Sequence, residues 1–311
     1  MSSRRIRGEE GLSRREFVQA LAGGALAVGL APGALAAEAP AEPKAGRKPS
    51  ATDRVQLGST KVQITRLGLG TGSNGGSVQR ALGQEAFTRL VRHAYERGVR
   101  YVDTADNYHI HSWVRGALQG LPREELVLQT KIWLSPRPDV ARTLDRFRQE
   151  LGTDYFDIVL LHCVMGASWP TDLKRLQDDL SAAKEKGLVR AVGVSTHGLA
   201  GLRGIAGCPW VEVALVRVNH NGHHMDGPTG RWAEQGSHAE CVAEIKKIRA
   251  ARKGVIGMKL VGNGDFTNAE DREKAIQFVF GGQLAHAVTI GCKSPAEVDE
   301  AIERITRALS A

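Results

Sequence analysis

The chain has 311 residues, of which 42% are hydrophobic and 24% charged, and its 42 Lys or Arg against 34 Asp or Glu give a net charge of +8. This composition is typical of a globular protein and excludes wholesale disorder and a fibrous repeat. The length allows two domains of about 150 residues or a single α/β barrel of about 250 residues.

The first 36 residues differ in composition from the rest of the chain. Arginines precede an apolar run at 20–31, and Ala34-Leu35-Ala36 follows as a small-residue cleavage site. Since a membrane-spanning helix needs about 20 apolar residues, this run predicts a cleaved signal peptide over 1–36 and no stable membrane insertion. A frayed amphipathic helix is the alternative. The arginines are Arg4, Arg5, Arg7, Arg14 and Arg15.

Ser13-Arg14-Arg15-Glu16-Phe17 resembles the twin-arginine export motif. The resemblance implies the twin-arginine export machinery as a partner, folding before export, and a periplasmic or otherwise exported location. Residues 37–53 are rich in Ala, Pro and charge, which predicts a flexible linker. The leader has five arginines and three glutamates, so +6 remains on the mature chain without a basic run. We expect steering of anionic ligands and no nucleic-acid partner.

The four cysteines match no zinc-binding or C-x-x-C spacing. An exported compartment permits disulfides, but a large core does not need them. We therefore expect buried thiols, with one disulfide as the alternative. The cysteines are Cys163, Cys208, Cys241 and Cys292.

From Val55 onward, short apolar runs alternate with segments of helical period. Runs at 55–57 and 62–64 around Gly58-Ser59-Thr60 predict a hairpin. Eight further runs predict strands at 66–70, 100–103, 126–131, 157–162, 189–195, 213–219, 255–259 and 287–290. Helices are predicted at 84–97, 138–151, 172–186, 237–251, 269–279 and 295–309. The alternation predicts an α/β fold, a (β/α)8 TIM barrel with a short N-terminal β-hairpin, over 54–311. An open doubly wound sheet is the alternative, although its glycine-rich fingerprint is hard to find.

Six predicted strands end in polar residues, and catalytic groups of such barrels lie at the carboxyl ends of the strands. Any one of these residues alone would more often cap a strand, but all six on one rim predict an active site. They are Asp103, Lys131, His162, Ser195, Asn219 and Lys259.

Asp103, Lys131 and His162, with Tyr108 five residues beyond Asp103, suit proton transfer to a carbonyl oxygen. A tyrosine with a pKa near about 10 is a poor acid at neutral pH. We expect Lys131 to lower the pKa of Tyr108 and Asp103 to hold Lys131 in place. A histidine beside the tyrosine can orient the carbonyl oxygen or complete the proton relay. The accompanying hydride requires a nicotinamide, since no side chain supplies one.

From about Val55 to Leu309 the sequence resembles the aldo-keto reductase family. The matching stretches are Thr65-Arg66-Leu67-Gly68-Leu69-Gly70-Thr71, Asp103-Thr104-Ala105 with Tyr108, Thr130-Lys131, Asp154-Tyr155-Phe156-Asp157 with Leu160-Leu161-His162, and Val192-Gly193-Val194-Ser195. The resemblance implies that Tyr108 is the general acid, Lys131 tunes it, Asp103 pairs with Lys131, and His162 positions the carbonyl.

The same resemblance implies NADP or NAD as cofactor, with NADP favoured. Thr196-His197 follows Ser195 where the family usually has Asn, and Met258 stands where it commonly has an aromatic. Glu297 near a 2′-phosphate would repel it. The implied cofactor-binding residues are Gly70, Thr71, Ser195, Thr196, Met258, Lys259, Lys293 and Ser294.

The segment 219–226 carries three histidines on the predicted catalytic rim. Imidazoles bind Zn or Cu, but no familiar ligand spacing appears. We predict no metal site and favour substrate or cofactor contact, with metal binding and a plain polar loop as alternatives.

Together these features predict an exported oxidoreductase that reduces a small-molecule aldehyde or ketone, or oxidises the alcohol, with NAD(P). The alternative is a barrel, weak or inactive as a catalyst, that binds a nicotinamide nucleotide as a regulatory or binding module. A metal-dependent enzyme built on the histidine segment is a third hypothesis.

Overall fold

The computed structural model describes residues 48–231 and 234–310. The predicted signal peptide, the twin-arginine motif and most of the predicted linker lie outside these residues. The strands are β1 (Arg54–Gln56), β2 (Gln63–Thr65), β3 (Leu67–Gly70), β4 (Tyr101–Asp103), β5 (Val127–Ile132), β6 (Phe156–Val164), β7 (Val189–Thr196), β8 (Val213–Arg217), β9 (Gly254–Met258) and β10 (Ala287–Ile290).

Helices follow the strands of the barrel in turn. They are α1 (Ser77–Arg80), α2 (Gln84–Glu96), α3 (His111–Leu118), α4 (Val140–Leu151), α5 (Trp169–Asp172), α6 (Lys174–Glu185), α7 (Leu199–Arg203), α8 (His238–Ala250), α9 (Ala269–Gly281) and α10 (Pro295–Ala308). Short 3-10 turns lie at Asp106–Tyr108, Arg123–Glu125 and Gly262–Gly264.

Eight parallel strands close the barrel in the order β10-β3-β4-β5-β6-β7-β8-β9. The predicted (β/α)8 barrel is therefore confirmed, and the open doubly wound alternative is wrong. β1 and β2 pair antiparallel as the predicted hairpin, with Val55 opposite Ile64. The register places Asp103, at the carboxyl end of β4, beside Gly70 at the end of β3 on one side and beside Gln129 of β5 on the other.

Local chemistry explains several helix boundaries. The Asp139 side chain accepts a hydrogen bond from the backbone N–H of Arg142 and so caps the start of α4. Gly152 ends α4 with φ of 64°, a left-handed conformation that glycine adopts without strain. Asn268 caps α9 in the same way as Asp139 caps α4, through the N–H of Asp271. These polar caps fix where each helix starts and thereby how long each connecting loop on the rim is.

The hairpin closes the amino-terminal end of the barrel. Leu57, Val62 and Ile64 belong to the same buried cluster as inward side chains of the barrel strands. The approach is close, because a Cβ on Gly254 would lie 2.5 Å from the Leu57 Cγ atom. A second apolar cluster fills the space between the strands and the helices. The carboxyl ends of the strands are not covered by this hairpin.

The last residues of the predicted linker over 37–53 pack against the barrel. Ala51 is fully buried, and its backbone N–H donates to the Thr306 Oγ1 atom at 3.1 Å. The Leu67 and Arg66 N–H groups donate to the carbonyls of Ala51 and Asp53. Composition alone missed this packing, since the partners come from β3 and α10.

The six predicted helices are present with boundaries within about two residues, whereas α1, α3, α5 and α7 were not predicted. All four cysteines are free thiols, so the alternative of a disulfide is wrong. Within the described ranges, the helices fall short of the length and apolarity that crossing a membrane takes.

Candidate active site

Neighbouring strands bring the four predicted catalytic residues together. Asp103 ends β4, Lys131 lies near the end of β5, and His162 lies in β6. Beyond Asp103 the chain turns through a 3-10 turn that ends at Tyr108. This turn follows β4 and carries the tyrosine back over the ends of the strands.

Lys131 is the centre of the group and is fully buried. Its Nζ atom donates to Asp103 Oδ1 at 2.6 Å and to the Thr104 carbonyl at 2.8 Å. The same Nζ atom lies 3.4 Å from the Tyr108 hydroxyl oxygen. Gln129, which was not predicted, donates to the same Asp103 oxygen at 2.6 Å. A carboxylate, an ammonium and a phenol are thus connected in one chain of contacts.

The pKa of Tyr108 does not shift in the predicted direction. Burial raises it well above its usual value, and the Asp103 charge adds to the increase. Burial also lowers the pKa of Lys131, although Asp103 opposes this effect. The expectation that Lys131 lowers the pKa of Tyr108 is therefore wrong, because desolvation of the phenolate outweighs the attraction of one ammonium.

His162 is buried beside the tyrosine. Its ring meets the Tyr108 ring edge-on, with centroids 5.6 Å apart, and meets the Trp133 ring on another side at 5.5 Å. Burial, and next the Lys131 charge, lower the pKa of His162 well below its usual value. The imidazole is therefore neutral at physiological pH. Its Nδ1 atom is buried and has no hydrogen-bond partner among the described residues.

Two contacts hold Tyr108 in place. The Arg80 guanidinium donates to the Tyr108 carbonyl oxygen. Gly72 lies against the ring, where an added Cβ would be 2.3 Å from the Tyr108 Cζ atom. Only glycine leaves room for the phenol at this position, so the Gly68–Gly72 segment serves the active site through close packing and not as a helix-opening phosphate loop.

A cavity of about 530 Å³ begins at Asp103 and Tyr108 and extends to α10. Four of the eight predicted cofactor-binding residues line it, namely Gly70, Met258, Lys259 and Lys293. Burial lowers the pKa of Lys259 to about 8, with Arg217 and Lys131 adding to the decrease. The Lys259 ammonium donates to the Asn263 Oδ1 atom at 2.7 Å.

The other four predicted cofactor-binding residues are not among those that line the cavity. Thr71 donates to the Asp103 carbonyl through its hydroxyl at 3.0 Å. The Ser195 hydroxyl oxygen accepts the Cys163 N–H at 2.9 Å, and the Thr196 hydroxyl donates to Asp226 at 3.0 Å. The Ser294 hydroxyl caps α10 by accepting the N–H of Glu297 at 3.3 Å.

The far end of the cavity carries both signs of charge. Glu297 accepts the backbone N–H of Lys293 at 2.7 Å, which places a carboxylate where an anion would otherwise bind. Arg272 and Arg304 also line this end, and each donates to Glu300 at 2.8 Å. A phosphate here meets arginines that are already paired.

The sequence did not reveal a second buried ion pair, between Arg217 and Asp226. Both side chains are fully buried, and Arg217 Nη2 lies 2.6 Å from Asp226 Oδ1. Desolvation raises the pKa of Asp226 although Arg217 opposes it. The available clue in the sequence was Arg217 at the end of the apolar strand β8. Because an unpaired charge in a barrel wall would be costly, this arginine indicates a buried acidic partner.

The cavity fits a nicotinamide nucleotide in size and in part of its chemistry. Its volume lies in the range of about 300–1,000 Å³ that is usual for cofactor sites. Glycines at 70, 72, 264 and 291 are among the residues that line it, and an added Cβ at Gly291 would lie 2.1 Å from the Ser73 Oγ atom. Lys259 and Lys293 offer cations to phosphate groups, while Met258 offers an apolar surface in the same cavity as Asp103 and Tyr108.

Comparison with known proteins agrees with this geometry. The sequence model of the aldo/keto reductase family matches residues 66–280. Methylglyoxal reductase DkgB of Escherichia coli O157:H7 is 28% identical over 177 residues, which are 53% of this chain and 64% of that protein. Glycerol 2-dehydrogenase (NADP(+)) of Saccharomyces cerevisiae is 32% identical over 143 residues, which are 44% of this chain and 41% of that protein. The chain thus matches less than two thirds of the length of these relatives.

Among solved structures, the holo form of aldo-keto reductase AKR11C1 from Bacillus halodurans is similar, with a TM-score of 0.64. It is 17% identical, and the match covers 83% of this chain and 91% of that one. This likeness supports the barrel fold.

Proposed function

The chain belongs to the aldo/keto reductase family, and from this premise we propose that it reduces an aldehyde or ketone, or oxidises the matching alcohol, with NADP or NAD. The observation that carries the proposal is the position of Lys131. Its ammonium touches Asp103 at 2.6 Å and lies 3.4 Å from the Tyr108 hydroxyl, beside a cavity of about 530 Å³. No other group of described residues combines a phenol, an ammonium beside it and a cofactor-sized cavity.

Tyr108 is the general acid in this proposal. A reduced nicotinamide supplies the hydride when bound. As the carbonyl carbon gains the hydride, its oxygen takes the proton from the Tyr108 hydroxyl. The raised pKa keeps that proton on the phenol until the oxygen becomes basic.

Lys131 and Asp103 stabilise what the proton transfer leaves behind. The phenolate that forms on Tyr108 lies within 3.4 Å of the Lys131 ammonium. Asp103 and the Thr104 carbonyl hold that ammonium in position and favour its charged form. In alcohol oxidation the same groups act in reverse, and the phenolate accepts the proton.

His162 positions the carbonyl as a neutral imidazole. Its lowered pKa leaves one ring nitrogen as a donor and one as an acceptor at physiological pH. A donor N–H beside Tyr108 orients the carbonyl oxygen without adding a second positive charge, which would weaken binding of the oxidised nicotinamide.

A second candidate is a barrel that binds the nucleotide as a regulatory or binding module. The Ser195 and Thr196 hydroxyls bond to protein groups. Each hydroxyl therefore keeps only part of its hydrogen-bonding capacity for a nicotinamide carboxamide, since Ser195 already accepts one bond and Thr196 already donates its proton. A loosely oriented nicotinamide would lower the rate of hydride transfer without preventing binding.

The test starts with the full chain purified from its own host. Any bound nucleotide is released and identified, and the protein is then titrated with NADPH and NADH and assayed with small aldehydes and ketones. We expect binding of at least one nucleotide and turnover of at least one carbonyl. Binding without turnover would support the binding module, and no binding of either nucleotide would overturn both candidates.

We further propose that the protein is exported through the twin-arginine machinery, with a signal peptide over 1–36 and a short linker that ends before Ala51. The supporting features are Arg14-Arg15, the apolar run 20–31 and Ala34-Leu35-Ala36. Arg14→Lys with Arg15→Lys should leave the uncut precursor inside the cell, whereas Arg4→Lys with Arg5→Lys should not. Equal export of both double variants would contradict the proposal.

A further inference from the structure

Two rim loops meet beside the nucleotide cavity through three side chains. His223 and His224 lie in the loop after β8, and Asp265 follows the 3-10 turn after β9. The Nε2 atoms of His223 and His224 lie 2.7 Å and 3.0 Å from one oxygen, Oδ2 of Asp265. The ligand atoms of the three residues all lie within 4.8 Å of one another. Two imidazole nitrogens and a carboxylate oxygen therefore converge on one point.

The backbone places the two imidazoles on the same side of the loop. His224 adopts a left-handed conformation with φ of 56°, which is uncommon for a residue other than glycine. Consecutive side chains on an extended backbone point to opposite faces, whereas here the ring centroids are 4.0 Å apart. The loop accepts an uncommon conformation that keeps two potential ligands adjacent.

The Asn219 side chain holds the loop after β8 in place through hydrogen bonds to its backbone. Its side-chain amide donates to the His223 carbonyl at 2.6 Å and to the Lys259 carbonyl at 3.2 Å, so one residue links the two rim loops. Its side-chain oxygen accepts the Gly222 N–H at 2.9 Å. After the histidines, Met225 is fully buried and anchors the chain again. The imidazoles thus stand on a loop that is held at both ends.

We propose that His223 Nε2, His224 Nε2 and Asp265 Oδ2 form a binding site for a divalent transition-metal ion of the Zn²⁺ type, with water completing the shell. Zinc binds imidazole nitrogen and carboxylate oxygen at about 2.0–2.2 Å in tetrahedral sites. Ligand atoms in such a shell are about 3.3 Å apart, as follows from these bond lengths. The observed 2.7 Å and 3.0 Å need to widen by only a few tenths of an ångström.

The donor set also selects the class of metal. Calcium and magnesium prefer shells made of oxygen, whereas imidazole suits zinc, copper, nickel and iron. On binding, each Nε2 atom offers its lone pair to the metal and each neutral ring carries its proton on Nδ1.

The third histidine of the segment is not part of this group. The His220 ring packs on Phe266 with centroids 5.2 Å apart. Its Nε2 atom lies 3.7 Å from Asp271. His220 lies in the same loop and is also an imidazole, so His220→Gln is a matched control for the two ligand histidines.

The site would link metal binding to the nucleotide, and this consequence rests on the proposed function. Asp265 lines the cavity together with its neighbours Asn263, Gly264 and Phe266. A metal that ties Asp265 to the loop after β8 would restrain this part of the cavity wall. We therefore expect a metal-loaded protein to release the nucleotide several-fold more slowly than a metal-free one.

The test measures metal binding first and independently of activity. The full chain is stripped with a chelator and titrated calorimetrically with Zn²⁺, and separately with Ca²⁺ and Mg²⁺. We expect one Zn²⁺ per chain, and at least a tenfold weaker affinity in His223→Gln and in Asp265→Asn than in His220→Gln. No Zn²⁺ binding, or equal affinities in all three variants, would overturn the site.

A second measurement needs no variant. Co²⁺ bound to the wild-type chain should give the intense visible absorption of a four-coordinate site, and Zn²⁺ should displace it. Weak absorption typical of a hydrated ion would overturn the proposed geometry. If Zn²⁺ binds as predicted but no nucleotide binds, the metal site stands and the proposed oxidoreductase function fails, so the two outcomes are distinguishable.

Discussion

Two buried ion pairs lie at the carboxyl end of this barrel, and they contact different neighbouring groups. Lys131–Asp103 and Arg217–Asp226 each bring nitrogen and oxygen to 2.6 Å, and both pairs are almost completely buried. Lys131 also touches the Tyr108 hydroxyl, which faces the cavity. Asp226 bonds instead to Thr196, inside the protein. Burial and charge alone therefore do not distinguish the proposed catalytic pair from the other pair. The group that each pair contacts makes the distinction.

The largest effect is expected from removing that neighbouring group on the catalytic side. Tyr108→Phe deletes the proton donor, so carbonyl reduction should fall by about 10²–10⁴-fold in kcat. Nucleotide affinity should stay within about threefold. Tyr95→Phe is the matched control, since its hydroxyl donates to Glu125 away from the cavity. Steady-state kinetics with unchanged kcat in Tyr108→Phe would remove the tyrosine from its proposed role.

Breaking the other pair should affect stability instead. Asp226→Ala leaves the fully buried Arg217 guanidinium without its counter-ion, which should cost about 3–5 kcal/mol of unfolding free energy. Urea denaturation followed by circular dichroism measures the loss. Asp178→Ala, which breaks an exposed pair with Lys174, should cost about 1 kcal/mol or less. Equal losses of unfolding free energy in the two variants would show that burial does not make the Arg217–Asp226 pair more important for stability.

Between the two pairs lies Lys259, whose pKa burial lowers to about 8. The Lys259 side chain is charged below that pH and becomes neutral as the pH rises. Arg217 and Lys131 lower its pKa further, whereas Cys163 and Asp103 oppose this effect. We therefore expect affinity for an anionic nucleotide to fall by about tenfold as the pH rises through this range, the loss of one charged contact. Lys259→Met should bind weakly at every pH. A wild-type affinity independent of pH would contradict this assignment.

The smallest effect concerns nucleotide choice at the far end of the cavity. Glu297→Gln removes a half-exposed carboxylate beside Lys293 and should favour NADPH over NADH by about two- to fivefold. Glu303→Gln is the control, since Glu303 pairs with Arg307 and does not line the cavity. Fluorescence titrations with both nucleotides measure the ratio. A ratio unchanged by Glu297→Gln would place the 2′-phosphate elsewhere.

The fold and the proximity of the four candidate catalytic residues could be predicted from sequence because both depend on local patterns. Apolar runs locate the strands, and parallel strands in a closed barrel bring their ends together. Asp103, Lys131 and His162 lie at or near such ends, so their proximity followed without knowledge of the loops.

The cofactor side was less predictable because it depends on partners distant in sequence. Ser195 accepts the N–H of Cys163, and Thr196 bonds to Asp226, thirty residues later. The direction of the Tyr108 pKa shift was missed for a related reason. Desolvation is set by everything that packs around the phenol, including Gly72, and sequence gives no measure of it.

The most direct test of the account follows the hydride. The protein is incubated with a small aldehyde and with NADPH or NADH carrying deuterium at the transferable position, and the alcohol is analysed by mass spectrometry. We predict that wild-type protein forms alcohol with one deuterium on the carbinol carbon. Tyr108→Phe should form almost no labelled alcohol in the same time. An alcohol without label, or equal labelling by the two proteins, would contradict a reductase that uses Tyr108 as its acid.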